Sequence, residues 1–151
     1  MNRNPVKILL IEDNPSDVEL ILQVFEWCNM KEHVHVIWDG AEALDFIFGT
    51  GAYSGMTASQ KPKAIILDLK LPKLNGIEVL RKIKSDERTR AIPVVVLTSS
   101  QEERDLVESY NFGANSYIVK PVKFDEFANV IRDVGYYWGL INEPPGNSPN
   151  K

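Results

Sequence analysis

A chain of 151 residues that is 44% hydrophobic and 25% charged is sized for one globular domain, which excludes disorder and fibrous repeats. A net charge of -4 and a pI near 5.2 argue against direct nucleic-acid or anionic-lipid binding, because no basic field covers the whole chain. One cysteine, Cys28, excludes an intramolecular disulfide and suits a reducing cytoplasm.

Residues 6–11 are apolar apart from Lys7 and run directly into Glu12 and Asp13, which fits a first strand and neither a signal peptide nor a membrane span. Asn14-Pro15 places a capping side chain before a proline at the first helical position. Val18, Ile21, Leu22 and Phe25 then repeat at helical spacing, closed by Trp27 and Cys28. Residues 33–38 read as a second strand. Asp39 with Glu42 starts a second helix carrying Ala43, Leu44 and Ile47, which ends near Gly49. Residues 49–62 are small and polar, without period, and predict a mobile surface loop.

Residues 64–67 and 94–97 are unbroken apolar runs, as expected for central parallel strands covered on both faces. Between them Asn75-Gly76 opens a helix with Ile77, Leu80 and Ile83 inward, followed by a solvated charged loop over 86–90. Ser100 and Glu103 are spaced as a capping box for a helix that Gly113 should end. Residues 116–119 form a fifth strand, and Phe124, Phe127, Ala128, Ile131, Val134 and Trp138 line a last helix. The alternation predicts an α/β fold: a doubly wound, five-stranded parallel sheet with helices on both faces. Residues 1–142 form one domain and 143–151 a polar tail.

Ligands of such sheets bind beyond the carboxyl ends of the strands. Those ends carry Glu12 and Asp13, Asp68, Thr98 with Ser99, and Lys120. Three carboxylates crowded together repel unless a cation joins them, and an open set of oxygen ligands suits Mg²⁺. An aspartate can attack phosphorus if the charge on the equatorial oxygens is neutralised, which Lys120 as a point charge and Thr98 as a hydroxyl donor would do at Asp68. Taken singly, each residue has an ordinary reading. Glu12 and Asp13 could be helix-start acids, Asp68 a turn residue, Thr98 a cap and Lys120 a surface charge. Their placement at four strand ends in chain order is what independent ordinary readings do not predict.

The set Ile11-Glu12-Asp13-Asn14, Leu67-Asp68-Leu69 with Pro72 and Asn75-Gly76, Leu97-Thr98-Ser99-Ser100, and Gly113-Ala114-Asn115 through Tyr117 to Lys120-Pro121 closely resembles receiver domains of response regulators, over residues 5 to 138. The resemblance implies that Asp68 is the phosphoacceptor, with Asp13 a direct ligand of Mg²⁺ and Glu12 an indirect one through water. It also implies the flavodoxin-like strand order 2-1-3-4-5, that the Lys70 carbonyl completes the metal site, that Thr98 and Tyr117 form a switch, and that Lys120-Pro121 is a cis peptide. Glu12 departs from the aspartate of many receivers. The long 49–62 loop and the ending Tyr136-Tyr137-Trp138 resemble the subset paired with phytochrome-like sensor kinases.

These readings imply a cytoplasmic protein that takes a phosphoryl group from a sensor histidine kinase and signals to a downstream protein without a DNA-binding output domain. A phosphorelay intermediate or phosphate sink is the alternative. Tyr136, Tyr137 and Ile141 fall outside the core stripe and suggest a homodimer interface. An aspartyl-phosphate phosphatase is disfavoured because position 70 is Lys where Asp-x-Asp would place a second acid. A flavin-binding module is disfavoured because Glu12-Asp13-Asn14-Pro15 would repel phosphate. His33 and His35 share a strand face without a third ligand and read as surface residues, and Cys28 as buried and inert.

Overall fold

The computed structural model describes residues 6–55, 61–114 and 116–137. Five strands, β1 (Ile8–Ile11), β2 (Val34–Ile37), β3 (Ala64–Asp68), β4 (Val94–Thr98) and β5 (Ser116–Val119), pair in parallel in the order β2-β1-β3-β4-β5. The helices are α1 (Pro15–Trp27), α2 (Gly40–Phe48), α3 (Gly76–Ser85), α4 (Gln101–Ser109) and α5 (Phe124–Tyr137). The α/β class and strand order expected from the sequence are those observed.

Side chains alternate across a strand, so each strand feeds two cores. Ile8, Leu10, Ala64, Ile66, Val95, Leu97 and Ile118 pack with α1 and α5. Leu9, Ile11, Ile65, Leu67, Val94 and Val96 pack with α2, α3 and α4. Continuing that period past the strand ends sends Glu12, Asp68 and Lys120 toward the α1–α5 side, and Thr98 toward the α4 side. This parity decides which polar residues meet.

The helix starts follow their caps. Asn14, Asp39, Asn75 and Ser100 each accept a hydrogen bond from the backbone N–H three residues on. Gly49, in the left-handed region at φ 69°, closes α2. Several local expectations change. Val79 joins Leu80 and Ile83 in the α3 core, and Ile77 packs against that core half-buried. Helix α4 stops at Ser109, four residues before Gly113, because Asn111 already takes a left-handed conformation at φ 54°. Phe124 is exposed at the start of α5 and meets Trp27 edge-on, and Cys28 is half-buried. Thr89 in the charged 86–90 loop is fully buried, its hydroxyl donating to the Ile83 carbonyl at 2.7 Å.

The described residues of the segment after α2 make contacts with it. Tyr53 donates to Glu42 at 2.7 Å and stands edge-on to Phe46, and Lys61 donates to the Ile47 carbonyl at 2.8 Å. Phe46 stacks in turn on His35, which is half-buried rather than on the surface, and burial lowers its pKa. The sequence gives no sign of this because His35, Phe46 and Tyr53 meet only once β2, α2 and the loop are folded together.

Gly76 positions the site. Its N–H donates to the Leu69 carbonyl at 2.8 Å, and a Cβ there would collide with the Asp68 carbonyl oxygen and the Leu69 Cα. Only a residue without a side chain lets α3 start so close to the end of β3. Gly76→Ala is expected to lower the unfolding free energy by roughly 1–3 kcal/mol, since the obstacle is backbone that cannot rotate away. Urea denaturation measures it, and an unchanged midpoint would refute the close approach.

Candidate functional site

Order in the sheet reverses beside β1, with β2 on one side and β3 on the other, and there the loops diverge to leave a crevice. Glu12 follows β1 and Asp68 ends β3. With β1 and β3 paired in register, Ile11 beside Leu67, the two carboxylates stand side by side. Lys120 follows β5, its N–H donating to the Thr98 carbonyl at 2.8 Å, and its side chain reaches back over β4. The Lys120–Pro121 peptide is cis.

The Lys120 ammonium lies 3.2 Å from Glu12, 3.1 Å from Asp68 and 2.8 Å from Asp17. Burial would lower the Lys120 pKa, but the Asp17 contact and the charges of Glu12 and Asp68 outweigh it and hold the group above its usual range. Glu12 is fully buried. Burial first, then its contact with Asp68, pushes it up to about 8, against the smaller lowering effect of Lys120. Asp68 is buried too, and its Oδ1 accepts the Lys70 N–H at 3.1 Å while Oδ2 accepts from Lys120. The Lys70 side chain is exposed.

Carboxylate oxygens of Glu12, Asp13 and Asp68 lie within 4.8 Å of one another. Oε2 of Glu12 accepts from the Asn14 N–H at 3.1 Å and from Lys120, while buried Oε1 has the Lys120 ammonium at 3.2 Å as its ion-pair partner. One ammonium serves both Glu12 and Asp68, and these carboxylates belong with exposed Asp13 to a set of hard oxygen ligands crowded within 4.8 Å. The residues therefore fit a small divalent cation, which would relieve the repulsion among them.

The structure thus brings together Glu12, Asp13, Asp68 and Lys120, with the Lys70 amide at the edge. Thr98 and Tyr117 stand on the other face of the sheet. Thr98 is fully buried, and its hydroxyl reaches the Ile118 carbonyl at 3.5 Å, a distance too long for a strong bond. Tyr117 is half-buried under the Arg104 guanidinium, 5.7 Å from the ring centre. Side chains of Tyr136 and Tyr137, in the last turn of α5, and all of Ile141 lie outside the described residues, as do residues 143–151. Sequence reading missed Asp17. Its place in the first helical turn is a common one for an acid, and nothing local signals a partner more than a hundred residues away.

The response regulator receiver domain family matches residues 8–132. "Probable methanogenesis regulatory protein FilR2" of Methanothrix harundinacea is 40% identical over 143 residues, covering 95% of this chain and 90% of its own. "Response regulator Rcp1" of Synechocystis sp. is 35% identical over 136 residues, covering 89% of this chain and 90% of its own. Its Mn²⁺-bound crystal structure has a TM-score of 0.73 at 34% identity, covering 89% of this chain and 94% of that one. The solved "Bacteriophytochrome response regulator RtBRR" has a TM-score of 0.80 at 47% identity, covering 94% of this chain and 85% of that one.

Proposed function

This chain belongs to the response regulator receiver domain family, and from that premise we propose that it takes a phosphoryl group from a sensor histidine kinase onto Asp68 with Mg²⁺ in the acidic crevice. The observation that carries the proposal is the buried Asp68 carboxylate held between the Lys70 amide and Lys120, within 4.8 Å of the Glu12 and Asp13 carboxylates. Glu12, Asp13 and Asp68, with the Lys70 carbonyl, would hold the ion. When bound, it would supply positive charge to the phosphoryl oxygens.

A carboxylate oxygen of Asp68 attacks phosphorus, and the O–P bond forms as the N–P bond of phosphohistidine breaks. The imidazole nitrogen leaves with the electron pair. Lys120, already against Asp68, neutralises a phosphoryl oxygen as charge spreads onto it. The product is an acyl phosphate on Asp68, close to one more negative charge than the carboxylate it replaces.

The Thr98 hydroxyl gives up little by leaving the Ile118 carbonyl at 3.5 Å, so a phosphoryl oxygen can draw it inward. Tyr117 then follows from beneath Arg104 and alters the surface of α4 and β5. Thr98→Ala is expected to keep phosphoryl uptake. Beryllofluoride, a phosphoryl mimic, should shift amide resonances across 101–109 and 116–119 in the wild type and far less in the variant. An identical pattern in both would count against the switch.

The similarity to the bacteriophytochrome response regulator RtBRR and to the cyanobacterial phytochrome response regulator RcpA supports a phytochrome-type kinase as the donor. A relative described as a methanogenesis regulator shows that the same scaffold occurs in another setting. Phosphotransfer from purified kinases of both kinds decides between them.

Metal binding should depend on pH. Glu12 titrates near 8 without metal, so below that pH its proton must leave before the carboxylate can serve the ion. The apparent Mg²⁺ affinity should therefore rise with pH, by up to about tenfold per unit, and level off above about pH 8. Glu12→Gln should bind more weakly and without that slope. Calorimetric titration at pH 6, 7 and 8, as roughly spaced points across the transition, measures both; a flat wild-type profile contradicts the assignment.

The proposal as a whole is tested by labelling with acetyl phosphate in Mg²⁺. Uptake of one phosphoryl group, lost on chelation, is expected, and uptake unaffected by chelator would overturn the metal's place in it.

A further inference from the structure

Asp17 makes the shortest of the three contacts to the Lys120 ammonium, 2.8 Å against 3.1 and 3.2 Å, yet it belongs to neither the metal set nor the phosphoacceptor. Its orientation has a local cause. Asn14 caps α1 and accepts from the Asp17 N–H at 3.0 Å, so Asp17 occupies the third helical position. An acid there ordinarily reaches back to the N–H of the capping residue and completes a capping box. In this chain that N–H donates to Glu12 at 3.1 Å. The Asp17 carboxylate is thereby released from the helix end and turns to Lys120 across the mouth of the crevice. Both side chains of the pair are about one-fifth exposed.

The other two carboxylates that hold Lys120 change during the reaction described above. Asp68 becomes an acyl phosphate, and Glu12 is committed to the cation. Asp17 is the contact that neither step consumes. We propose that Asp17 is a positioning residue that holds the Lys120 ammonium over the phosphoacceptor while phosphorus is transferred. It acts through Lys120 and touches no reacting atom. A flexible four-carbon stem without this tether would sample solvent, and a small misplacement of a charge stabilising the transition state costs rate rather than donor binding.

This inference rests on the functional reading, and the experiment separates the two. Labelling by acetyl phosphate in saturating Mg²⁺ is measured for the wild type, Asp17→Ala, Asp17→Glu, Lys120→Ala, the double variant Asp17→Ala with Lys120→Ala, and Asp68→Asn. Asp17→Ala should lower the maximal rate by about tenfold with the half-saturating donor concentration unchanged. Asp17→Glu, which keeps the charge, should recover most of the rate. In the Lys120→Ala background the Asp17→Ala change should cost less than about twofold, because the residue it positions is gone. A purely structural role at the α1 terminus would cost the same in both backgrounds and overturns the inference, as does an Asp17→Ala rate within about twofold of wild type. Undiminished labelling of Asp68→Asn would overturn the functional reading itself; its loss beside an unaffected Asp17→Ala overturns the inference alone.

Discussion

Asp68→Asn should reduce phosphoryl uptake by at least about a thousandfold, because an amide oxygen is a poor nucleophile and no other described carboxylate is both buried and in contact with Lys120 at the β3 end. The variant should nevertheless fold. Asp68 raises the Glu12 pKa by its hydrogen bond and its charge, so removing that charge eases the repulsion in the crevice. Asn can still accept the Lys70 N–H with its side-chain oxygen. Mg²⁺ affinity should fall with the loss of one ligand charge. A folded Asp68→Asn protein that labels at the wild-type rate would mean that the phosphoryl group goes elsewhere.

The second large effect belongs to Lys120. Truncation to alanine leaves Glu12, Asp17 and Asp68 facing one another without the ammonium that lies within 3.2 Å of each. Labelling should slow by about a hundredfold, the scale for removing one preorganised charge from a transition state. Stability should fall as well, by about 2 kcal/mol near neutral pH, less than for a fixed buried charge because Glu12 can take a proton instead.

The sign of the pH dependence follows from Glu12. Its folded pKa of about 8 exceeds the ordinary 4.5, so the folded chain binds the extra proton, and the stability gained is complete below about 4.5 and lost as pH rises through 8. Lys120 opposes that rise, so the Lys120→Ala deficit should be larger at pH 9 than at pH 6, roughly the two sides of that transition. Added Mg²⁺ should restore part of it. Denaturant unfolding at the two pH values, with and without Mg²⁺, checks both statements.

What could be read from the chain divides along physical lines. The strands, helix starts and the four strand ends were legible because they depend on local signals: apolar runs, capping residues and the period of a strand. Asp39 and Ser100 cap the helices that their spacing predicts. Glu12, Asp68 and Lys120 converge because parity past the strand ends is fixed once the strands are known. The same parity puts Thr98 on the opposite face, with its hydroxyl on Ile118. The α4 terminus was misread because a left-handed Asn111 ends it before the glycine that usually would. Asp17, the His35–Phe46–Tyr53 stack and buried Thr89 were invisible for another reason. Each has its role only through a partner brought near by folding.

Gly76 shows how the two levels join. Asn75-Gly76 reads in sequence as a helix start, and in space the same glycine lets α3 begin against the Asp68 carbonyl. A single residue therefore serves the helix and the placement of Asp68.

Everything functional rests on a carboxylate attached to phosphorus at one position. After labelling with acetyl phosphate and Mg²⁺, borohydride reduces an acyl phosphate to the alcohol and converts that aspartate to homoserine, which mass spectrometry of peptides locates. Homoserine at position 68 and at no other acidic residue is the predicted result. Homoserine at 13 or 17, or hydroxynorvaline at 12, with Asp68 intact would contradict it.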